Sequence, residues 1–570
     1  MPGSTQRPNR RRPGKGRAIR RLDTRRLDRR IRILGLTVAL VFGLLTLRAA
    51  ALAVDSGKLA TLAREQQQST ISLPATRGEI LDRTGIPLAY DEQQQTVFAT
   101  PYMLSDPESA ANRLADLLHV PRAPLRRALS DKASGFAYVA RQIDPKLAAK
   151  ALALGIPGVG SYPEDVRVYP ERTLATQVLG LVGSDGQGLA GIEYSQNGAL
   201  SGTPGQETVI ADPAGQVLRT LHSTPALPGE DVRLTIDEAI QYQTEQVLAA
   251  TVARYHALGG TAIVEDPTTG EIYAMANAPL VTASAFATEP ALARDRAVTD
   301  VYEPGSTFKV LTVAACLADG AVTPDSSFLL PPAIRVGGYT IHDAEARPTE
   351  RMTVSEILAR SSNVGVVTLA ERYLGKARLL RWIADFGFGQ PTGIDFPGEA
   401  AGLLPAEWTA STIGNVPFGQ GIAVTPIQMA SVYSAIADGG VWIRPRLIAA
   451  IGDHPVAAGP RRRIVSASVD KELVTMLSDV VADGTGTEAQ IPGYAVAGKT
   501  GTAQKVLADG RGYSNNAFDA SFVGFVPARH PQLCVLVMID QPDVIFGGSV
   551  AAPAFREIAS FALQDLEIAP

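Results

Sequence analysis

From Ile33 to Val54 the chain is almost unbroken hydrocarbon, interrupted by Arg48 and little else. As a helix this run reaches about 33 Å, enough to cross a bilayer. Whatever else the chain folds into is therefore tethered to a membrane near one end. Ahead of the run, residues 7–32 hold about 13 Arg and Lys against Asp23 and Asp28, roughly +11. The whole chain has a formal net charge of −4, so the remainder is near −15 by subtraction. Basic residues before an apolar span hold the amino end in the cytoplasm, which puts the rest of the chain outside the plasma (inner) membrane. A basic tail can also bind nucleic acid, but its position beside the span favours the membrane, and no nucleic-acid partner is expected. Ala51-Leu-Ala53 resembles a signal-peptidase site. The basic region is far longer than a usual signal, and the expectation is an uncleaved, single-pass anchor. Arg48 has two readings: it snorkels to the outer interface, or it meets a membrane partner.

At 570 residues the chain is too long for one compact core. The expected divisions are a basic tail over 1–32, a membrane helix over 33–54, a β-rich module over 55–228 and a second folded part over 229–570. After a polar stalk, the stretch from Arg77 to Ala89 has strand-like runs on either side of a turn at Thr84-Gly85. The Arg and Asp charges there could form structural ion pairs or a binding site, and with no pocket nearby in sequence the structural reading is the expectation. Residues 105–155 have the pattern of short amphipathic helices, and spaced Gly and Pro follow to about Gly205. Beyond Gly229, Leu234-Thr-Ile-Asp237 leads into a helix capped by Thr235 or Asp237. Ala262–Met275 is a hairpin pattern around Pro267 and Gly270. Ser521–Val526 and Leu533–Ile539 are two further strands, and Ala554–Leu566 is a closing helix. Strands at both ends with helices between predict an α+β sheet assembled from distant segments. Cys316 and Cys534 lie in apolar runs and are expected as buried single thiols. With six histidines and neither H-E-x-x-H nor paired Cys spacing, no metal or other cofactor is expected.

Three short motifs then occur in order: Ser306-Thr-Phe-Lys309, Ser361-Ser-Asn363 and Lys499-Thr500-Gly501. Each alone is cheap, since Ser468-Val-Asp-Lys471 repeats the first spacing and Ser195-Gln-Asn197 and Ser514-Asn-Asn516 repeat the second. Only the set beginning at Ser306 has all three in sequence, and together they describe an activated-serine acyl-transfer site. Glu303-Pro-Gly305 is a turn opening into a buried helix, so Ser306 falls in the first turn with Lys309 on the same face. A serine needs a base to become a nucleophile, and a desolvated lysine near neutral pH can serve. Thr353-Val-Ser-Glu356 is a capping-box pattern, so Ser361 and Asn363 fall where that helix ends, a hydroxyl and an amide able to pass a proton and hold the lysine. Lys499, Thr500, Gly501 and Thr502 form a strand whose cation and hydroxyls could grip a carboxylate, while the flanking glycines admit a substrate backbone. A backbone N–H there and one at Ser306 could form an oxyanion hole. The bland alternatives are an N-cap serine with a surface lysine and a polar C-terminal turn. They suffice for any one motif but not for the ordered three.

The chain resembles a class B penicillin-binding protein over nearly its whole length after the tail. Beyond the three motifs the resemblance rests on Arg77-Gly…Asp82-Arg-Thr-Gly85, Arg167-Val-Tyr-Pro170, Gly191-Ile-Glu193 and Arg296-Ala-Val-Thr-Asp-Val-Tyr-Glu-Pro-Gly305. It extends through Phe386-Gly-Phe-Gly389, Phe418-Gly-Gln-Gly421 and Gly498-Lys-Thr-Gly-Thr-Ala-Gln504. Length, anchor and compact head resemble the division-specific, FtsI-type members more than the elongation-specific ones. The resemblance implies a non-catalytic pedestal of the PBP dimerisation type followed by a β-lactamase-like penicillin-binding transpeptidase domain. It implies a D,D-transpeptidase without cofactor, acting on lipid II-derived peptidoglycan stem peptides and acylated by β-lactams. In that scheme Ser306 is the nucleophile, Lys309 its base, Ser361 a proton shuttle and Asn363 a positioning group. Lys499 and Thr500 orient the substrate, Gly501 lets it approach, and Thr502 adds a carboxylate contact and an oxyanion N–H. The implied partners are a SEDS-type (FtsW-like) glycosyltransferase and divisome proteins. Two departures are Asp295 where the family has Asn before the Arg296 run, and Ala278-Pro-Leu-Val-Thr282 in place of a Y-D-P-N pattern. No E-D-x-x-F motif of a glycosyltransferase domain precedes Gly229. A catalytically silent scaffold is the alternative of a different class, and the intact set of motifs opposes it.

Overall fold

The computed structural model describes residues 24–211, 217–409, 411–507 and 512–570, and most of the basic tail lies outside that range. The chain forms two compact units, one of residues up to Leu73 with Gly205–Pro225, the other of Pro74–Pro204 with Ala226–Pro570.

In the first unit a single helix runs Thr24–Gln67 without a break at Ala51–Ala53. Its Arg29–Ala53 stretch is the one segment among the described residues long and apolar enough to cross a membrane, and none of it is buried against the chain. Hydrocarbon is the environment such side chains need, and the stretch fits a single-pass membrane anchor. Thr37 and Thr46 do not spoil it, because their hydroxyls donate to the carbonyls of Ile33 and Phe42 one turn back. The helix leads directly into Gln68–Leu73, which pairs antiparallel with Gly205–Ala211, itself paired with Val217–Thr224.

The second unit contains two large sheets. In the first, Ile80–Leu81 lies between Pro87–Ala99 and Val232–Leu234, and Val232–Leu234 continues to Ile448–Ile451. The sheet thus runs straight across positions 228 and 229. At the turn before Pro87, the Asp82 carboxylate accepts the Thr84 and Ile86 N–H groups at 2.7 and 2.8 Å, as the Thr84-Gly85 signal predicts. Helices Pro107–Leu118, Arg122–Ser130 and Pro145–Leu152 share a separate core of Val97, Leu114, Leu129 and Val139 with the neighbouring strands. Arg77 is structural: its Nε donates to Glu193 at 2.6 Å, and the Arg167 Nε donates to the other oxygen of that fully buried carboxylate at 2.7 Å.

The second sheet has the order Ile272–Ala278, Gly259–Glu265, Leu533–Asp540, Tyr513–Val526, Ala497–Val506, all antiparallel. Its strands read as continuous apolar runs because both faces are covered. Along Leu533–Ile539 the odd residues join a core with helices Glu238–Arg254 and Gly547–Asp565, while Cys534, Leu536 and Met538 join the larger core on the opposite face. That larger core holds the helices of the first two motifs and the start of the strand that carries the third. Cys316 and Cys534 are both buried in it as free thiols. Asp237 caps Glu238–Arg254 by accepting the Ala239 and Ile240 N–H groups, whereas the Thr235 hydroxyl donates to the Ile272 and Arg446 carbonyls.

Candidate active site

Ser306 sits in a 3-10 turn, Gly305–Phe308, that passes into the α-helix Lys309–Ala318. The first turn is thus tighter than the α-turn expected, and residues three apart nearly eclipse in such a turn. The turn is held from several sides. The Gly305 N–H donates to the Gly419 carbonyl at 3.0 Å, the Thr307 hydroxyl to the Pro304 carbonyl at 2.8 Å, and the Tyr433 hydroxyl to the Thr307 carbonyl at 2.9 Å. The Phe308 ring packs on Phe388 with centroids 5.3 Å apart. Gly419 has φ +82°, and a Cβ there would fall 2.2 Å from the Gly305 carbonyl oxygen. Only glycine lets the two backbones meet.

Lys309 is 0% exposed while Ser306 stays half-buried. The Lys309 ammonium donates to the Ser361 carbonyl and, at 3.0 Å, to the Ser361 hydroxyl. Burial first, and then the nearby Lys499 charge, hold Lys309 well below the ordinary lysine range, with Asp343 pulling weakly the other way. Helix Val354–Ala359 begins with the expected capping box of Thr353 and Glu356 and ends just before Ser361. Ser361 has a left-handed φ of +56°. Ser362 then caps helix Asn363–Leu369. The Asn363 amide donates to the His342 carbonyl at 3.0 Å. The hydroxyl of the motif, not its amide, therefore holds the lysine.

Lys499, Thr500, Gly501 and Thr502 lie on the strand Ala497–Val506, at the edge of the sheet. The strand backs onto the serine turn: a Cβ on Gly501 would fall 3.0 Å from the Pro304 carbonyl, and one on Gly305 would fall 2.8 Å from the Thr502 carbonyl. Lys499 is fully buried, and burial pushes it down to about 7. Its Nζ donates to the Thr500 carbonyl and hydroxyl, both at 3.2 Å, and to the Thr485 hydroxyl at 3.5 Å. The Thr502 hydroxyl accepts the Gly547 N–H at 3.2 Å and keeps its own proton to donate. The rival pair Ser468 and Lys471 sits on helix Ala467–Ala482, where the Ser468 hydroxyl meets Ser466 and Lys471 is exposed.

Four residues outside the motifs shape the site. Thr485 bonds the Thr500 hydroxyl at 2.8 Å. Tyr433 fixes the serine turn. Asp343 grips the residues after Ser361. Glu303 accepts the Gly421 N–H at 2.9 Å and the Tyr513 hydroxyl at 3.1 Å, and burial raises its carboxyl to about 7. Glu303 lies within the quoted run from Arg296 to Gly305, but the other three carry no local signal.

The geometry sets a half-buried serine one turn ahead of a fully buried lysine, with the Ser361 hydroxyl on that lysine and a second buried lysine, Lys499, near enough to perturb it. Residues 260–560 match the penicillin binding protein transpeptidase domain, and residues 72–234 match the penicillin-binding protein dimerisation domain. The chain is 36% identical to the probable peptidoglycan D,D-transpeptidase PbpC of Pseudomonas aeruginosa, over 88% of each chain. It is also 36% identical to the peptidoglycan D,D-transpeptidase FtsI of Escherichia coli K12, over 91% of this chain and 87% of that one. Among solved structures, penicillin binding protein 3 of Mycobacterium tuberculosis superposes with a TM-score of 0.69 at 30% identity, covering 88% of this chain and 98% of that one. With both domains in order and relatives matched over most of their length, the chain belongs to the class B penicillin-binding proteins.

Proposed function

We propose that the protein is a peptidoglycan D,D-transpeptidase that cross-links stem peptides through an acyl-enzyme on Ser306 during septal wall synthesis, and that β-lactams acylate the same serine. The observation that carries this reading is Lys309: fully buried, without a carboxylate partner among the described residues, and three residues from a half-exposed serine. In its neutral form Lys309 takes the Ser306 proton as the oxygen attacks the D-Ala–D-Ala carbonyl. Ser361, bonded to Lys309, returns that proton to the departing D-alanine amine. An amine of a neighbouring stem peptide then displaces Ser306 and completes the cross-link. Asn363 positions the turn, and Lys499 and Thr500 orient the substrate. Gly501 admits its backbone, and Thr502 supplies a carboxylate contact and an oxyanion N–H.

The division-specific role is supported by the likeness to FtsI. Residues 55–228 serve as a pedestal and 229–570 as the transpeptidase domain. The basic tail keeps the amino end in the cytoplasm and the catalytic part outside, where a SEDS-type glycosyltransferase and other divisome proteins are the partners. Fluorescent penicillin tests the site. Ser306→Ala and Lys309→Ala are expected to abolish labelling and Lys471→Ala to leave it intact, whereas persistent labelling of Ser306→Ala refutes the assignment. Localisation of the tagged protein at septa supports the division role, and at side walls the elongation role.

A further inference from the structure

Asp343 belongs to none of the three motifs, yet its carboxylate is tied into one of them. It follows the hairpin Ala333–Val336/Tyr339–His342. Its side chain is only 9% exposed. Its oxygens accept the Ser362 hydroxyl at 2.9 and 3.0 Å, the Val364 N–H at 2.9 Å and the Arg347 Nε at 2.6 Å. The carbonyl of the preceding His342 accepts the Asn363 amide. Two consecutive residues therefore hold three consecutive ones, Ser362 to Val364. Behind the contact, Val336, Ile341 and Val367 form a small core between the hairpin and helix Asn363–Leu369. Arg347 is fixed in turn by the Leu330 and Pro348 carbonyls at 3.0 and 3.2 Å.

The residue just before this grip is Ser361, whose carbonyl and hydroxyl both receive the Lys309 ammonium. Its left-handed backbone is unfavourable for a serine and persists only where the surroundings impose it. Ser362 cannot impose it alone, because its oxygen is already capping Gly365 at 2.9 Å and needs an acceptor for its own proton. Asp343 supplies that acceptor.

We infer that Asp343 is a positioning residue for serine acylation, holding Ser361 in the left-handed conformation that presents two acceptors to Lys309. The inference rests on the reading of Lys309 as the base. Burial alone would raise the Asp343 carboxyl, but the bonds from Val364, Arg347 and Ser362 outweigh it and hold it below the usual range, so it is anionic at neutral pH. The titratable and charged groups around it are His342, whose ring Nδ1 meets the Asp343 carbonyl at 2.8 Å, Arg347, Glu350 beside Arg347, Arg360 paired with Glu350, and the two buried lysines. The anion also favours the protonated form of Lys309, so two effects separate on its removal. Lost positioning lowers the maximal acylation rate, and the lost charge moves the rising limb of the pH–rate profile to lower pH.

The experiment is the rate of Ser306 labelling by fluorescent penicillin from pH 5.5 to 9.5, using the full-length protein in detergent with Asp343→Asn, Ser362→Ala and Lys309→Ala. Asp343→Asn is expected to lower the plateau at least tenfold and to shift its limb to lower pH. Ser362→Ala keeps the carboxylate and is expected to lower the plateau with the limb unmoved. It also serves if Asp343→Asn does not fold. Wild-type rates and limbs in both variants, with Lys309→Ala inactive, overturn the role of Asp343 alone. Wild-type labelling of Lys309→Ala overturns the reading of the base beneath it.

Discussion

Lys499→Met is expected to make the protein more stable and inactive at once. Methionine keeps the unbranched stem, one atom shorter, and removes the charge. Burial takes the Lys499 ammonium from an ordinary 10.5 to about 7. At about 1.4 kcal/mol per pH unit, holding the charge in the fold at acid pH costs on the order of 5 kcal/mol. Against this stand the bonds from Lys499 to the Thr500 carbonyl, the Thr500 hydroxyl and the Thr485 hydroxyl, together worth about 3 kcal/mol at typical net values. The difference is a stabilisation of about 2 kcal/mol, or a rise of about 2–3 °C in melting temperature for a folded part of this size. The sign reverses with pH. Between pH 7 and 10.5 the unfolded chain holds a proton that the folded one has released, so the wild type gains stability as pH rises through that window. Above it the penalty is gone, and the variant, lacking the bonds, is the weaker. Thermal unfolding of full-length protein in detergent at pH 6 and pH 10.5 reads both ends. A variant that melts below the wild type at pH 6, or a difference independent of pH, refutes the argument that this lysine is held in the fold against its own solvation.

Three further outcomes follow from particular contacts. Gly419→Ala puts a methyl against the Gly305 backbone at a left-handed position, and penicillin labelling is expected to slow at least 100-fold, about 2.7 kcal/mol in barrier, with circular dichroism nearly unchanged. Glu193→Ala leaves Arg77 and Arg167 buried without their shared carboxylate; it should cost about 3–5 kcal/mol and show as early melting and proteolysis of the Pro74–Pro204 segment. Glu303 has its carboxyl raised from 4.5 to about 7 by burial, so the wild type should lose stability as pH rises from 4.5 through 7. Glu303→Gln should flatten that slope in melting curves taken across the range.

Local chemistry wrote much of the fold plainly. The Thr353–Glu356 capping box, the Asp237 cap, the turn at Thr84-Gly85 and the continuous apolar strand Leu533–Ile539 all depend on neighbours a few residues apart. The motif serines and lysines were legible for the same reason, since each motif is short. What local pattern does not carry is pairing between distant segments. The hairpin Gly205–Thr224 joins Gln68–Leu73 by strand pairing, and nothing in its glycines and threonines names that partner. Asp343, Thr485 and Tyr433 reach the site only through tertiary contacts, so they read as ordinary polar or core residues. The left-handed backbone of Ser361 is equally silent, because serine has no preference for it and the contacts around it impose it.

The strand order of the catalytic sheet has a consequence in time. Gly259–Glu265 is made early, but its inner neighbour is Leu533–Asp540, near the end of the chain. The K-T-G strand reaches the sheet only through Tyr513–Val526, which is also late. During synthesis the serine turn and its helix therefore exist for some 200 residues' worth of elongation before the second lysine can be placed opposite them. Pairings this distant in sequence form slowly. An unfinished chain thus carries the Ser306 turn without the strand of Lys499 that packs behind it, and the full set of three motifs meets only once Tyr513–Val526 and Leu533–Asp540 have paired.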